Sequence, residues 1–195
     1  GPPVPTPPTV ANVRRAIHDL ELAAMTQPLT PRTPLPLAMV RNCRRALRRP
    51  KVADSTGAEL TGGSLLMRTL IFRRLFRRHV LEPQEKFVGL LLPPSAGGVL
   101  ANAALALDGR VAVNLNYTLS SALLNKCIER AGIRRVLTSR KFMDRVKLEV
   151  RAELVYLEDL VAKVGAADKA AGFVGAYLTP LALLERQLGL RNIKP

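Results

Sequence analysis

Residues 86–141 alternate between short apolar runs and stretches with helical spacing, and this alternation allows few folds. The first run is almost continuously hydrophobic, which is typical of a parallel strand buried on both faces. The pattern predicts an α/β fold with a parallel, Rossmann-like β-α-β-α-β layer. The predicted strands are 87–92, 110–116 and 134–138, with helices begun by Ser95 and by Ser120 or Ser121.

The flanking segments are predicted to be mainly helical. A Pro-rich linker and a short helix, capped by Thr9 or Asn12, occupy residues 1–36, and the remaining residues 37–195 form one incomplete subdomain. The elements predicted before the layer are a helix 37–48, a hairpin 51–61 and a helix 64–80. Those predicted after it are a helix 142–152, a fourth strand 154–157 and two helical pieces within 160–187.

The composition narrows the classes of protein to consider. Thirty Lys and Arg against fifteen Asp and Glu give a net charge of +15, with the basic excess in the N-terminal half. Two cysteines are too few for a disulfide scaffold and are expected to be reduced thiols of a cytoplasmic protein. Neither histidine lies near a cysteine or a paired carboxylate, so no metal site is predicted.

Two helices carry arginines at helical spacing. In the first, the arginines recur at i, i+3, i+4 and i+7 and form one cationic stripe. Such helices can bind an anionic membrane or an acidic partner, or they can be docked helices with a solvated arginine face. The candidate docking residues are Arg41, Arg44, Arg45 and Arg48 in the first helix and Arg73, Arg74, Arg77 and Arg78 in the second.

The carboxyl ends of the predicted strands define a cleft, because ligands of open parallel sheets bind there. The substrate-cleft candidates are Ser95, Asn116, Tyr117, Thr118, Ser139 and Arg140. The alternative for each is a helix cap or a loop hydrogen bond. No catalytic or cofactor-binding residue is assigned, because the SAGG turn lacks GxGxxG spacing and the STG and TGG triplets lack the lysine of a phosphate loop.

Three segments resemble the first half of AMP-forming acid-thiol ligases, the adenylate-forming superfamily of acyl-CoA synthetases. They read LLPPSAGGVLANAALALDGRVAVNLNYT, CIERAGIRRVLTSRKFMDRV and ELVYLEDL. Leu60-Thr61-Gly62-Gly63 stands where the family has an LTYGEL-like motif, and 107–116 where it has an LKAGAAYVPL-like one. The resemblance runs from about Val52 to Pro195 and is greatest to the bacterial acyl-[acyl-carrier-protein] synthetase/2-acylglycerophosphoethanolamine acyltransferase branch.

This resemblance implies that the chain is the N-terminal half of the large domain of such a ligase. The parent would activate a fatty acid with ATP and Mg²⁺ and pass the acyl group to acyl carrier protein or CoA, in phospholipid acylation. The family's phosphate loop and lid lysine would follow Pro195, so the fragment alone is expected to be inactive. A location in the cytoplasm or at the inner face of the membrane follows from the same resemblance.

The alternative is a free-standing basic module that binds nucleic acid or an anionic membrane. Aromatic residues make up only 4% of the chain and tryptophan is absent. Stacking platforms for single-stranded nucleic acid are therefore scarce, and the ligase fragment is the favoured hypothesis.

Overall fold

The computed structural model describes residues 10–26 and 33–192. Contacts divide the chain into two units, the second being residues 34–194. In the first unit, helix α1 (Val10–Thr26) is described by itself, and it confirms the short helix predicted in this region. The predicted linker 1–9 and most of the second Pro-rich stretch lie outside the described residues. The predicted domain boundary after residue 36 stays a prediction.

The second unit begins with a helix, a hairpin and a long helix: α2 (Leu35–Arg45), β1 (Pro50–Ala53), β2 (Glu59–Thr61) and α3 (Gly62–His79). The strands pair antiparallel, which confirms the predicted hairpin. Helix α2 starts two residues earlier than predicted, since Pro36 is tolerated in a first turn, and it ends at Arg45, not Arg48. Thr61 caps α3, whose predicted inward side chains are buried: Leu65, Leu66, Thr69, Phe72 and Phe76.

The predicted β-α-β-α-β layer is confirmed, with a fourth parallel strand. Its elements are β3 (Phe87–Leu91), α4 (Ala96–Leu107), β4 (Val111–Asn114), α5 (Ser121–Arg130), β5 (Arg135–Thr138), α6 (Arg140–Val146) and β6 (Glu153–Tyr156). The strand order is β4-β3-β5-β6. Because β4 and β5 lie on opposite sides of β3, the strand order reverses at β3.

The sheet is covered on both faces. Val88 and Leu90 of β3 belong to a core shared with α3 and α4, whereas Leu91 belongs to a second core with Leu124 of α5 and Phe142 of α6. Strand β5 also contributes to both cores, with Leu137 in the first and Val136 in the second. This two-sided burial is why the strand sequences are almost continuously apolar.

The predicted helix 142–152 is wrong in its second half. Helix α6 begins at Arg140 and ends at Val146, because Lys147 adopts a left-handed conformation with φ 48°. The chain beyond it contributes every second residue to the second core: Leu148, Val150, Ala152 and Leu154. That spacing has the period of extended chain, not of a helix.

Residues 160–187 are mainly helical, as predicted, but the predicted number of two pieces is wrong. The structure has α7 (Leu157–Ala162), α8 (Ala166–Phe173), a π-helical turn (Val174–Leu178) and α9 (Leu181–Gln187), followed by a 3₁₀ turn (Leu190–Asn192). Gly165 caps α8 and Pro180 precedes α9. Gly172 does not break α8 but lets it approach α3, since a Cβ there would lie 2.6 Å from Cγ1 of Ile71.

Candidate functional site

The carboxyl ends of β3, β4 and β5 form the edge of the sheet at which the cleft is predicted. The start of α4 lies at this edge, directly after β3. Ser95 caps α4, because its Oγ accepts from the N–H of Gly98 at 3.2 Å and donates to the carbonyl of Pro93 at 3.1 Å. The Ser95 hydroxyl is therefore used in holding the turn between β3 and α4.

The first N–H of α4 is bound by a residue that the sequence analysis did not identify. The N–H of Ala96 donates to Oδ2 of Asp54 at 2.9 Å. The other carboxylate oxygen of Asp54 accepts from the N–H of Thr56 at 2.9 Å and from its hydroxyl at 2.6 Å. Asp54 thus ties the β1–β2 turn to the amino end of α4, where a negative charge is favoured by the helix dipole. The turn D-S-T-G is the local sequence signal for this role.

These hydrogen bonds, first of all the one from the Ala96 N–H, lower the pKa of Asp54 to about 2. A carboxylate with a lowered pKa contributes stability that is present above its unfolded value of about 3.9 and lost as pH falls toward the folded value. We therefore expect the urea midpoint of the wild type to fall more steeply between about pH 4 and pH 2 than that of Asp54→Ala. Parallel midpoint curves for the two proteins would contradict the assigned role of Asp54.

The carboxyl end of β4 carries three of the predicted cleft residues. Oδ1 of Asn116 accepts from the N–H and the hydroxyl of Thr118, at 2.9 and 2.8 Å, so these two residues close a local turn. The ring of Tyr117 meets the ring of Phe142 edge to face, with centroids 5.2 Å apart. Tyr117 is partly exposed and lines an open groove.

The carboxyl end of β5 carries the other two. Ser139 caps α6 through the N–H of Phe142 at 3.2 Å. Arg140 bonds both carboxylate oxygens of Asp159, at 2.8 and 2.6 Å, and its guanidinium lies 4.2 Å from the ring centroid of Tyr156. The hydrogen bond to Asp159 raises the pKa of Arg140. Arg140 therefore joins the end of β5 to the end of β6, whereas Ser139 holds the start of α6.

Two open grooves flank the start of α4. One has a volume of about 740 Å³ and lies between α2, α4 and the ends of β3 and β4, and the other has about 770 Å³ and lies between α3, α4 and α7. Among the cleft candidates, Ser95 and Tyr117 share the first groove, whereas Ser139 and Arg140 line neither. The walls that sequence reasoning missed are Leu35, Met39, Asn102 and Asn114 in the first groove and Met67, Ile71 and Val161 in the second.

The side chains at this edge of the sheet are suited to binding and orienting a ligand. Both grooves have largely aliphatic walls, and the side-chain amides of Asn102 and Asn114 bond each other at 3.2 and 3.3 Å. Within residues 10–26 and 33–192, no cluster of three histidine, cysteine or acidic side chains is arranged to hold a metal ion. Over the same residues, no helix is long and apolar enough to cross a membrane.

The arginines of α2 differ in their surroundings. Arg41 donates from Nε to Oε1 of Glu185 at 2.8 Å, and this hydrogen bond lowers the pKa of Glu185. Arg44 donates to the carbonyl of Ala176 and, at 2.9 Å, to that of Thr179. Arg45, the last residue of α2, is exposed, and so is Arg48, which lies beyond the helix and therefore does not continue the predicted stripe. Two of the four predicted docking residues of this stripe thus have partners within the chain.

The arginines of α3 are held by two buried carboxylates. Asp108 lies within 3.0–3.2 Å of the Nε atoms of Arg73 and Arg77. Asp168 accepts from Arg74 at 2.7 Å and from Arg78 at 2.8 Å. This pairing removes part of the cationic field that a nucleic-acid module would need. Docking by either set of arginines stays a prediction.

No protein-family model matches the chain. Its fold is similar to that of o-succinylbenzoate coenzyme A synthetase (MenE) from Bacillus subtilis in complex with AMP, with a TM-score of 0.56 and 20% identity over 65% of this chain and 33% of that one. It is also similar to the N-terminal domain of FACL13 from Mycobacterium tuberculosis, with a TM-score of 0.55 and 17% identity over 67% and 36% of the two chains.

A third similar structure is the N-terminal subdomain of NpsA from Klebsiella oxytoca in complex with 3-hydroxybenzoyl-AMSN. It has a TM-score of 0.58 and 14% identity over 68% of this chain and 32% of that one. The chain has the N-terminal fold of the adenylate-forming enzymes. It spans about a third of the length of these solved structures.

Proposed function

We propose that this chain is the N-terminal part of an AMP-forming ligase that activates a fatty acid with ATP and passes the acyl group to a thiol of CoA or acyl carrier protein. The observation that carries this proposal is the fold shared with MenE in complex with AMP. The segments whose sequences resemble acyl-CoA synthetases, 91–118 and 127–146, run from the end of β3 through β4, α5 and β5 to α6. Sequence resemblance and fold similarity therefore support the same class of protein independently.

The start of α4 is unsuited to the phosphates of ATP. A helix that follows a parallel strand often binds phosphate at its first N–H groups. Here Asp54 and Ser95 already accept from the N–H groups of Ala96 and Gly98, and the Asp54 carboxylate would repel a phosphate. We therefore assign ATP and Mg²⁺ to residues of the parent protein beyond Pro195, and this chain to the scaffold and the acid-binding side.

The two grooves beside α4 support an apolar acid as the substrate. A hydrocarbon chain gains free energy in proportion to the apolar area it buries, and aliphatic side chains dominate the walls of both grooves. A volume of about 740 Å³ lies within the range usual for small-molecule sites. The proposed role of this edge is to form a wall for the acyl chain, with phospholipid acylation as the use of the product in the parent protein.

The proposal is tested by acid-dependent ATP–pyrophosphate exchange. We expect the longest reading frame that contains residues 1–195 to catalyse exchange with fatty acids. The purified 195-residue chain should give none, because its sequence has no phosphate loop ending in lysine and its described residues hold no cluster of metal ligands. Short polar acids at equal concentration are the matched control for recognition of the hydrocarbon chain of the substrate. A complete reading frame that supports no exchange with any carboxylic acid would refute the proposal, and exchange by the 195-residue chain would refute the assignment of the ATP site.

A further inference from the structure

A third groove lies beside the carboxyl-terminal half of α3. It has a volume of about 440 Å³ and is formed by α3, α8, the π-helical turn and α9. Leu70, Leu184 and Leu188 form its apolar lining, and Arg74, Arg77 and Arg78 also line it. Arg77 contacts Asp108 at the end of α4, whereas the cleft described above lies at the start of α4. Arg77 therefore lies at the opposite end of α4 from Ser95, whereas Gly172 of this groove lies beside Ile71, which lines the second groove.

The arginines of this groove contact carboxylates of the chain, but their side chains are still partly exposed. Asp168 and Asp108 are almost fully buried, with side-chain exposures of 3% and 1%, whereas the side chains of Arg74 and Arg77 are 48% and 59% exposed. Both arginines approach their carboxylates through Nε. Within the described part of the chain, the Nη atoms of Arg74 and Arg77 donate no hydrogen bond. Two buried carboxylates therefore contact five arginines, Arg110 among them, which leaves a net positive charge at the rim.

Large apolar side chains project from the same part of the fold. Leu178 and Leu183 are 64% and 45% exposed. They belong to the segment 172–184, whose Gly172, Gly175 and Leu184 line the groove. Exposed apolar side chains next to free cationic groups are typical of surfaces that enter a lipid headgroup layer.

We infer that this surface, formed by Arg74, Arg77, Arg78, Leu178 and Leu183, binds an anionic phospholipid bilayer. The Nη atoms of Arg74 and Arg77 bind lipid phosphates, and the two apolar side chains insert at the level of the headgroups. Charge complementarity favours an anionic lipid surface, and the apolar side chains distinguish it from a site for a free soluble anion.

The test is co-sedimentation of the 195-residue chain with vesicles at low salt, and it requires no ATP, so its result is independent of the proposed adenylation. We expect binding to phosphatidylcholine vesicles with about 30 mol% phosphatidylglycerol and none to pure phosphatidylcholine. Arg77→Gln should weaken binding about fivefold, since each basic side chain near an anionic surface contributes on the order of that factor. Leu178→Ser should weaken it about tenfold through lost apolar burial.

The matched controls lie on α5, which packs on the opposite face of the sheet. Arg130→Gln removes the same charge, and Leu123→Ser removes an equally large apolar side chain that is 47% exposed. Both controls should bind within about twofold of the wild type. Since Asp108 keeps Arg73 and Arg110, Arg77→Gln should retain the wild-type urea midpoint.

Three results would overturn the inference. Equal weakening by Arg77→Gln and Arg130→Gln would mean that only the net charge of the chain attracts it to vesicles. Wild-type binding by Leu178→Ser would exclude insertion of the apolar side chains. Binding of a soluble acidic carrier protein without any vesicle binding would assign the surface to a protein partner.

Discussion

Gly62→Ala is expected to lower the free energy of unfolding by about 3 kcal/mol, as overpacking against rigid backbone does. A Cβ at residue 62 would lie 2.5 Å from the carbonyl oxygen of Ala46 and 2.6 Å from that of Cys43. These are backbone atoms at the end of α2, so they cannot rotate away as a side chain could. Urea unfolding of the variant and of the wild type measures the difference.

Gly97→Ala is the matched control, because Gly97 also lies in the first turn of a helix. A Cβ there meets only ordinary contacts at 3.8 Å, from Leu157 and from the Ser95 hydroxyl. The substitution should be neutral or stabilising by up to about 1 kcal/mol, since alanine restricts the unfolded chain. Equal changes in the free energy of unfolding for Gly62→Ala and Gly97→Ala would show that the carbonyls at the end of α2 do not exclude a side chain at residue 62.

The same contact explains a departure from the resembled ligase motif. Gly62 stands where the LTYGEL-like motif has its tyrosine, and here the end of α2 leaves no room for a side chain. The first N–H groups of α3 bond the loop after α2, with Gly62 donating to the carbonyl of Arg49 and Gly63 to that of Leu47. These bonds satisfy donors that a helix start otherwise leaves free, and they hold α2 close to α3.

Arg44→Met is expected to lower the free energy of unfolding by about 2 to 3 kcal/mol, the range for charged hydrogen bonds to acceptors that are then left unsatisfied. In a regular helix, the carbonyl of Ala176 would accept from the N–H of residue 180. That residue is Pro180, which has no N–H. Arg44 supplies the missing donor and also bonds the carbonyl of Thr179.

Arg45→Met serves as the control for this substitution. Arg45 is the next residue of α2 and is exposed, so its replacement should change stability by less than about 0.5 kcal/mol. Arg44→Lys should recover only part of the loss, since one ammonium group replaces a planar fork that reaches two carbonyls. If Arg44→Met and Arg45→Met unfold at the same urea concentration, Arg44 has no structural role and returns to the docking candidates.

The sheet could be predicted from sequence because its signals are local. The run from Phe87 is apolar on both faces, Ser95 and Ser120 cap the helices that follow, and positive φ at Gly109 and Gly132 ends them. The second half of the helix predicted over 142–152 has no such local signal. Its alternating apolar residues pack as extended chain on the second core.

The candidate site was only partly predictable. The polar residues at the strand ends were found, because strand ends and helix caps follow from hydrophobic period and residue type. Asp54 was missed as a partner of α4, although its contact with Ala96 is central to this edge. That contact joins residues 42 positions apart, which no local pattern encodes.

The sequence by itself determined the parallel layer, its helix caps and the two arginine-bearing helices, because periodicity and capping act over a few neighbouring residues. Only the tertiary structure decided which arginines are structural. Arg44 donates to a carbonyl 132 residues away, and Arg74 donates to a carboxylate 94 residues away. Arg45 is also an arginine of the predicted stripe, but its side chain is exposed. The physical reason is that the partner of a charged side chain depends on which distant helix packs against its face, and the spacing of charges along one helix does not contain that information.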